Sequence, residues 1–201
     1  MELKEKIISQ SLLLFIKSGV RSVNMDEVSS NLGISKKTLY LHVNNKADLV
    51  FQVFGFQCEV LKESFSVICQ EEKNAIDELY EMDEKISFLF HSMNLALISE
   101  LKKYYNESWE LVENLKQNFL FDLIHSNIEK GIKQKLYRDD LNAALISKLF
   151  INRSEYLLDG HFIKNQTYDL RETLKDHRIY HVRGIASSVG LKYLEEKLEI
   201  W

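Results

Sequence analysis

The residues best placed to do chemistry lie in one short run, Ser35-Lys36-Lys37-Thr38-Leu39-Tyr40-Leu41-His42, with Lys46 a few positions on. Two ammonium groups, two aliphatic hydroxyls, a phenol and an imidazole make a dense set of cations and hydrogen-bond donors. Such a set suits phosphate oxygens and the edges of bases. A bond-making centre needs other things. The chain pairs no nucleophile with a base, has no glycine-rich phosphate loop and spaces no His, Cys, Asp and Glu as a ligand set, so neither an enzyme nor a cofactor or metal is expected. His177 and His181 stand four apart and could share one helical face toward a metal. A surface or interface role for this pair is the plainer reading.

The elements that must position the run are helices. Leu3, Ile7, Ile8, Leu12, Leu14 and Phe15 form an apolar stripe over 3–17, closed by Ser18-Gly19. Asn24, followed by Met25-Asp26-Glu27-Val28, starts a short second helix that Gly33 ends. Gly33 can take the positive φ this corner needs, and Ile34 can plug the angle between the helices. Ser35 caps a third helix over 36–42. Asn45, with Asp48 three residues on, caps a fourth that carries Leu49, Val50, Val53, Phe54, Val60, Leu61, Phe65 and Ile68. Further helices are expected over 75–92, 94–104, 107–131, 139–158, 168–183 and 188–199. The chain has no proline and seven glycines, too few turn formers for a hairpin-rich fold, so the class is all-α. Two short helices at a tight corner are a helix-turn-helix, whose second helix reads bases with its N-terminal residues. Lys36 and Lys37 could instead be a solvated face, Tyr40 a core tyrosine and His42 a cap on the helix end.

Residues 7–50 resemble the DNA-binding domain of the TetR/AcrR family. Phe15, Gly19, Val23, Met25, Val28, Leu32, Gly33, Ile34, Ser35, Thr38, Leu39, Tyr40, His42, Lys46 and Leu49 carry the likeness, densest in Gly33–Tyr40 and Asn45–Leu49. The chain departs from the family with Ser29 in place of Ala, Val43 in place of Phe and Lys37 in place of a small residue. The resemblance implies a DNA-contact set of Ser35, Lys36, Lys37, Thr38, Tyr40 and His42, with Lys46 on phosphate. Beyond residue 50 it is thinner. Glu129-Lys130-Gly131-Ile132 and Leu136–Leu141 are similar to the turn between the family's seventh and eighth helices. Arg183-Gly184-Ile185 and Gly190 are similar to the C-terminal helix pair of a subgroup.

By this resemblance residues 1–47 form the DNA-binding domain, and 48–201 a helical body that binds a small molecule and forms a homodimer through its last helices. The apolar stripes of 139–158 and 168–199, among them Leu145, Leu149, Tyr180 and Val189, are compatible with such an interface. His91, Met93, Tyr105, Trp109, Phe119, Leu123 and His125 are candidates to line the pocket, with ordinary core packing as the alternative for each. The fourth helix, from Phe54 to Phe65, would link pocket to DNA.

Composition sets the outer bounds. At 45 % hydrophobic residues a sizeable core is expected. The net charge is −4, divided as +2 over residues 1–50 and −6 over the rest, a mildly basic head on an acidic body. Cys58 and Cys69 read as reduced thiols. No apolar run reaches a membrane span, and the mixed charges of Met1–Lys6 do not suit a secretory signal, so a cytoplasmic protein is expected. The function that follows is a sequence-specific regulator on double-stranded DNA, a ligand-responsive repressor acting as a homodimer. The alternative is a helical protein-interaction module without direct DNA contact.

Overall fold

The computed structural model describes residues 2–70, 72–92, 95–158 and 170–198. These hold α1 (Leu3–Ser18), α2 (Met25–Leu32), α3 (Lys36–Leu39), α4 (Lys46–Gln70), α5 (Ala75–Ser92), α6 (Leu95–Tyr104) and α7 (Asn106–Asn114). A π-helical stretch, Leu115–Leu120, leads into α8 (Phe121–Lys133), followed by α9 (Ala143–Leu158), α10 (Leu170–Ile185) and α11 (Ser188–Leu198). Among the described residues there is no strand, and one isolated bridge pairs Tyr137 with Ala186. The fold is all-α, as expected.

Two compact units divide the chain, and they do not follow its order. The first holds Met1–Glu63 and Ser92–Leu115, the second Ser64–His91 and Lys116–Trp201. In the first, Ile7 and Phe15 of α1, Leu39 of α3 and Leu49, Val50 and Val53 of α4 are fully buried in one cluster. Leu97 and Leu101 of α6 belong to the same cluster, and Tyr105, Trp109 and Val112 pack against it. Each such side chain stabilises the unit by about 1.5–3 kcal/mol.

The second unit is held by buried polar contacts as well as apolar ones. Tyr137 is almost wholly buried, and its hydroxyl lies 3.0 Å from the Ala75 carbonyl and 3.2 Å from Asn127 Oδ1. Asn127 donates to the Ala75 carbonyl and to Glu78 Oε1, both at 2.9 Å. These bonds fasten α5 to α8. Gly131 lies under the Tyr137 ring, where a Cβ would fall 2.0 Å from Cδ2. The buried Arg178 of α10 reaches Asp83 at 3.5 Å and lies 4.2 Å from the centre of the Tyr80 ring.

Several helix ends differ from expectation. The helix expected over 107–131 is broken into α7, the π-helical stretch and α8, a change of hydrogen-bond register that apolar spacing does not report. The third helix stops at Leu39, because Tyr40 to His42 close as turns. The helix expected from 139 starts at Ala143, where the Asn142 side chain accepts the Leu145 N–H at 3.0 Å. Both cysteines are free, Cys58 buried and Cys69 half-buried. Burial pushes the Cys58 thiol up to about 11, so it stays protonated at neutral pH. Among the described residues no helix is long and apolar enough to cross a membrane.

Candidate nucleic-acid interface

The corner is built from backbone satisfaction outward. Asn24 Oδ1 accepts the N–H groups of Asp26 and Glu27 at 3.0 and 2.9 Å, starting α2. Gly33 ends it in the left-handed region, φ 66° and ψ 29°, and the Ile34 N–H reaches back to the Ser29 carbonyl at 3.0 Å. Ile34 packs against the core of the unit. Ser35 Oγ accepts the Thr38 N–H at 3.0 Å and shares a 2.8 Å hydrogen bond with the Thr38 hydroxyl. Leu39 is fully buried and anchors α3. Of the three family departures, Lys37 is exposed and the other two are buried and fit. Buried Ser29 donates its hydroxyl to the Asp26 carbonyl at 3.0 Å, and Val43 is buried in the core cluster.

With α3 anchored by Leu39, its other side chains are presented outward. Ser35, Lys36, Lys37 and Tyr40 are exposed, and Thr38 and His42 are half-buried. Tyr40 is 47 % exposed, which removes the reading of it as a core tyrosine. Leu41 is 76 % exposed. Sequence reasoning passed it over, although an apolar side chain between two polar ones at the end of a reading helix is a signal. Lys36 is paired with Asp26 at the start of α2, both groups well exposed. A surface pair of this kind is worth about 0–1 kcal/mol, so it yields readily to a phosphate.

Lys46 is less free than its sequence position suggests. Its Nζ donates to the Arg21 carbonyl at 3.1 Å. Partial burial lowers its pKa, opposed by attraction to Glu100. Nothing in the sequence links positions 21, 46 and 100. Around it, Asn45 Oδ1 accepts the Asp48 N–H at 2.9 Å, and Asp48 Oδ2 accepts the Asn44 N–H at 2.6 Å. That backbone hydrogen bond leads the causes that hold the Asp48 carboxyl below the usual aspartate value. The caps at Asn24, Ser35 and Asn45 fix the starts of α2, of the reading helix α3 and of α4. The arrangement offers two lysines, hydroxyls, a phenol and an apolar side chain in one largely exposed run, suited to groove and backbone contacts.

The pocket candidates fall apart into two groups. Tyr105 and Trp109 are half-buried against the core of the first unit, with Lys102 Nζ 5.4 Å from the Trp109 ring centre. Phe119, Leu123 and His125 are half-buried in the second unit, where His125 stacks on Phe121 at 5.8 Å. Met93 lies outside the described residues, as does the side chain of His91. A small recess in the second unit is lined by other residues, Tyr80, Lys175, Arg178, Ile179, Val182, Leu194 and Leu198. Among the described residues no group of three His, Cys, Asp or Glu side chains is gathered as for a metal.

Known proteins share these features. Residues 7–53 match the family described as bacterial regulatory proteins, tetR family. An uncharacterized HTH-type transcriptional regulator YvaF of Bacillus subtilis (strain 168) is 24 % identical over 173 residues, 85 % of this chain and 89 % of that protein. The HTH-type transcriptional regulator AcrR of Shigella flexneri is 22 % identical over 203 residues, 88 % of this chain and 86 % of that one. In fold, the chain is similar to the crystal structure of the transcriptional regulator FadR from Bacillus subtilis in complex with stearoyl-CoA. That likeness has a TM-score of 0.71 at 17 % identity and covers 90 % of this chain and 98 % of that one. An exposed reading helix on a buried Leu39, with HTH-type transcriptional regulators matching most of the chain's length, leads to one assignment: residues 7–53 are a helix-turn-helix DNA-binding domain of the tetR family of bacterial regulatory proteins.

Proposed function

We propose that the chain is a ligand-responsive repressor that binds a two-fold operator as a homodimer in the cytoplasm. The observation that carries the DNA half of this reading is the sidedness of α3. Leu39 is fully buried while Lys36, Lys37 and Tyr40 stand in solvent on a helix capped at its N-terminus by Ser35. In this reading residues 1–47 make the contacts. Lys36, Lys37 and Tyr40 enter the major groove with Ser35, Thr38 and His42 beside them, and Lys46 meets a phosphate.

Support for the homodimer comes from the second unit. Phe150 of α9 and His181 of α10 meet edge to face at 4.8 Å, so the two helices lie side by side. Next to that contact Leu149 is 60 % and Tyr180 77 % exposed, and Leu145 and Val189 are exposed too. Large apolar side chains in water on adjoining helices suit an interface with a second copy. Residues 48–201 would then carry the dimer and the ligand. The fold shared with a stearoyl-CoA complex supports a ligand in the helical body, without fixing its chemistry here.

The deciding experiment is fluorescence anisotropy with the intergenic DNA upstream of the chain's own operon. We expect salt-sensitive, sequence-dependent binding, weakened about tenfold or more by Lys36→Ala with Lys37→Ala, in keeping with about 1–3 kcal/mol per base-edge contact. Equal affinity for operator and random DNA, or no effect of the lysine pair, sinks the reading. A ligand screen on the complex, with stearoyl-CoA as first probe, tests release.

A further inference from the structure

We propose that Glu100, on α6, is a positioning residue for DNA contact: it holds the backbone of Arg21, to whose carbonyl Lys46 is tethered, and so aims the Lys46 ammonium at a phosphate. The proposal rests on the DNA-binding reading above and adds to it a residue from outside the helix-turn-helix. Three elements of the first unit meet here. The Glu100 carboxylate accepts the Arg21 N–H at 2.9 Å, and the Arg21 carbonyl accepts from Lys46 Nζ at 3.1 Å. The Arg21 residue thus forms a bridge with Glu100 bonded at its amide and Lys46 at its carbonyl. α6 also grips the far end of Arg21. The guanidinium lies 4.6 Å from the centre of the Tyr104 ring and donates to its hydroxyl at 3.3 Å. Gly19 leaves room for this approach, since a Cβ there would lie 3.1 Å from Glu100 Oε2.

A lysine on a free stem loses much side-chain freedom when it meets a phosphate. Lys46 has lost part of that freedom beforehand, because one N–H is committed to Arg21 and two remain for an anion. Glu100 has two effects of opposite sign. Its oxygen orders the bridge, and its charge repels phosphate. Glutamine separates them, keeping an oxygen for the Arg21 N–H and dropping the charge.

The test is a double-mutant cycle on operator affinity in the full chain, with thermal melts as a folding check. Lys46→Ala is expected to weaken operator binding about tenfold in the native background and less than about twofold in Glu100→Ala, which itself weakens binding to a similar degree. Glu100→Gln should stay within about threefold of the native affinity and leave the Lys46→Ala loss at full size. Independent, multiplying losses from Glu100→Ala and Lys46→Ala overturn the proposal, as does native affinity in Glu100→Ala. Should Glu100→Ala fail to fold, the Gln background decides, and a silent Lys46→Ala there overturns it. A native chain that binds no operator at all fails the earlier reading, a result distinct from binding with additive effects.

Discussion

Leu39 and Leu41 are the same side chain two positions apart, one sealed in the core of the first unit and the other in water. The pair separates what folds the unit from what it presents. Leu39→Ala removes a fully buried side chain and should cost about 2–5 kcal/mol, read as a lowered denaturation midpoint. Leu41→Ala removes an exposed one and should leave stability within about 0.5 kcal/mol. If Leu41 meets a thymine methyl, its loss shows in operator affinity and not in affinity for random DNA. Asp48 gives this scale a pH dependence. Its carboxyl is held below the ordinary 3.8 chiefly by the Asn44 N–H. A depressed carboxyl stabilises the fold above its unfolded value and loses that contribution as pH falls through the folded one. Thermal melts should therefore show a loss on acidification below about pH 4 that is smaller in Asp48→Ala. Equal acid sensitivity in the two chains removes Asp48 from the account.

At the scale of elements, two glycines that look alike in the sequence have different work. Gly33 holds φ 66° with open space around a would-be Cβ, so Gly33→Ala meets backbone strain alone, about 1–2 kcal/mol. Gly131 has ordinary helical φ, but a Cβ there would stand 2.0 Å from the Tyr137 ring. Gly131→Ala must displace a buried, hydrogen-bonded tyrosine and should be the costlier, about 3 kcal/mol or more. Denaturant titration of the two variants gives the order, and a reversed order contradicts this packing of Gly131 on Tyr137. This contrast also marks what was legible beforehand. The corner was readable because its determinants are local: Asn24, Gly33, Ser35 and Asn45 each act within three or four residues, and each acts as expected. The tether of Lys46 was not, since it joins residues 79 and 25 positions apart. The π-helical stretch at Leu115–Leu120 escaped for another reason, because its apolar residues suit either helical register. The pocket candidates share only residue type, and type does not separate Trp109 against a core from Trp109 around a ligand.

At the scale of the molecule, the first unit takes α6 and α7 from far along the chain, so the DNA-reading corner is folded together with residues beyond position 90. A truncation at residue 47 would strip Leu49, Val50, Val53, Leu97 and Leu101 from that core. The second unit shows Leu149 and Tyr180 to water on helices that touch through Phe150 and His181. A recognition helix alone covers one half-site, and two half-sites about 34–36 Å apart need two heads joined by a fixed body. Leu149→Arg with Tyr180→Glu puts charges at two exposed positions and leaves the buried Phe150 in place, so the subunit should keep its helicity by circular dichroism. Sedimentation should then shift from dimer to monomer, and affinity for a two-fold operator should fall at least about a hundredfold, because the second half-site is no longer bound at high effective concentration. Affinity for an isolated half-site should not change. Gly184 supplies an internal check on α10. It faces open space, and in a lone helix Ala would be favoured there by about 1 kcal/mol. A native chain that sediments as a monomer at micromolar concentration, with Gly184→Ala stabilising at every concentration, would leave the exposed face without a second copy and remove the two-fold geometry from the proposed function.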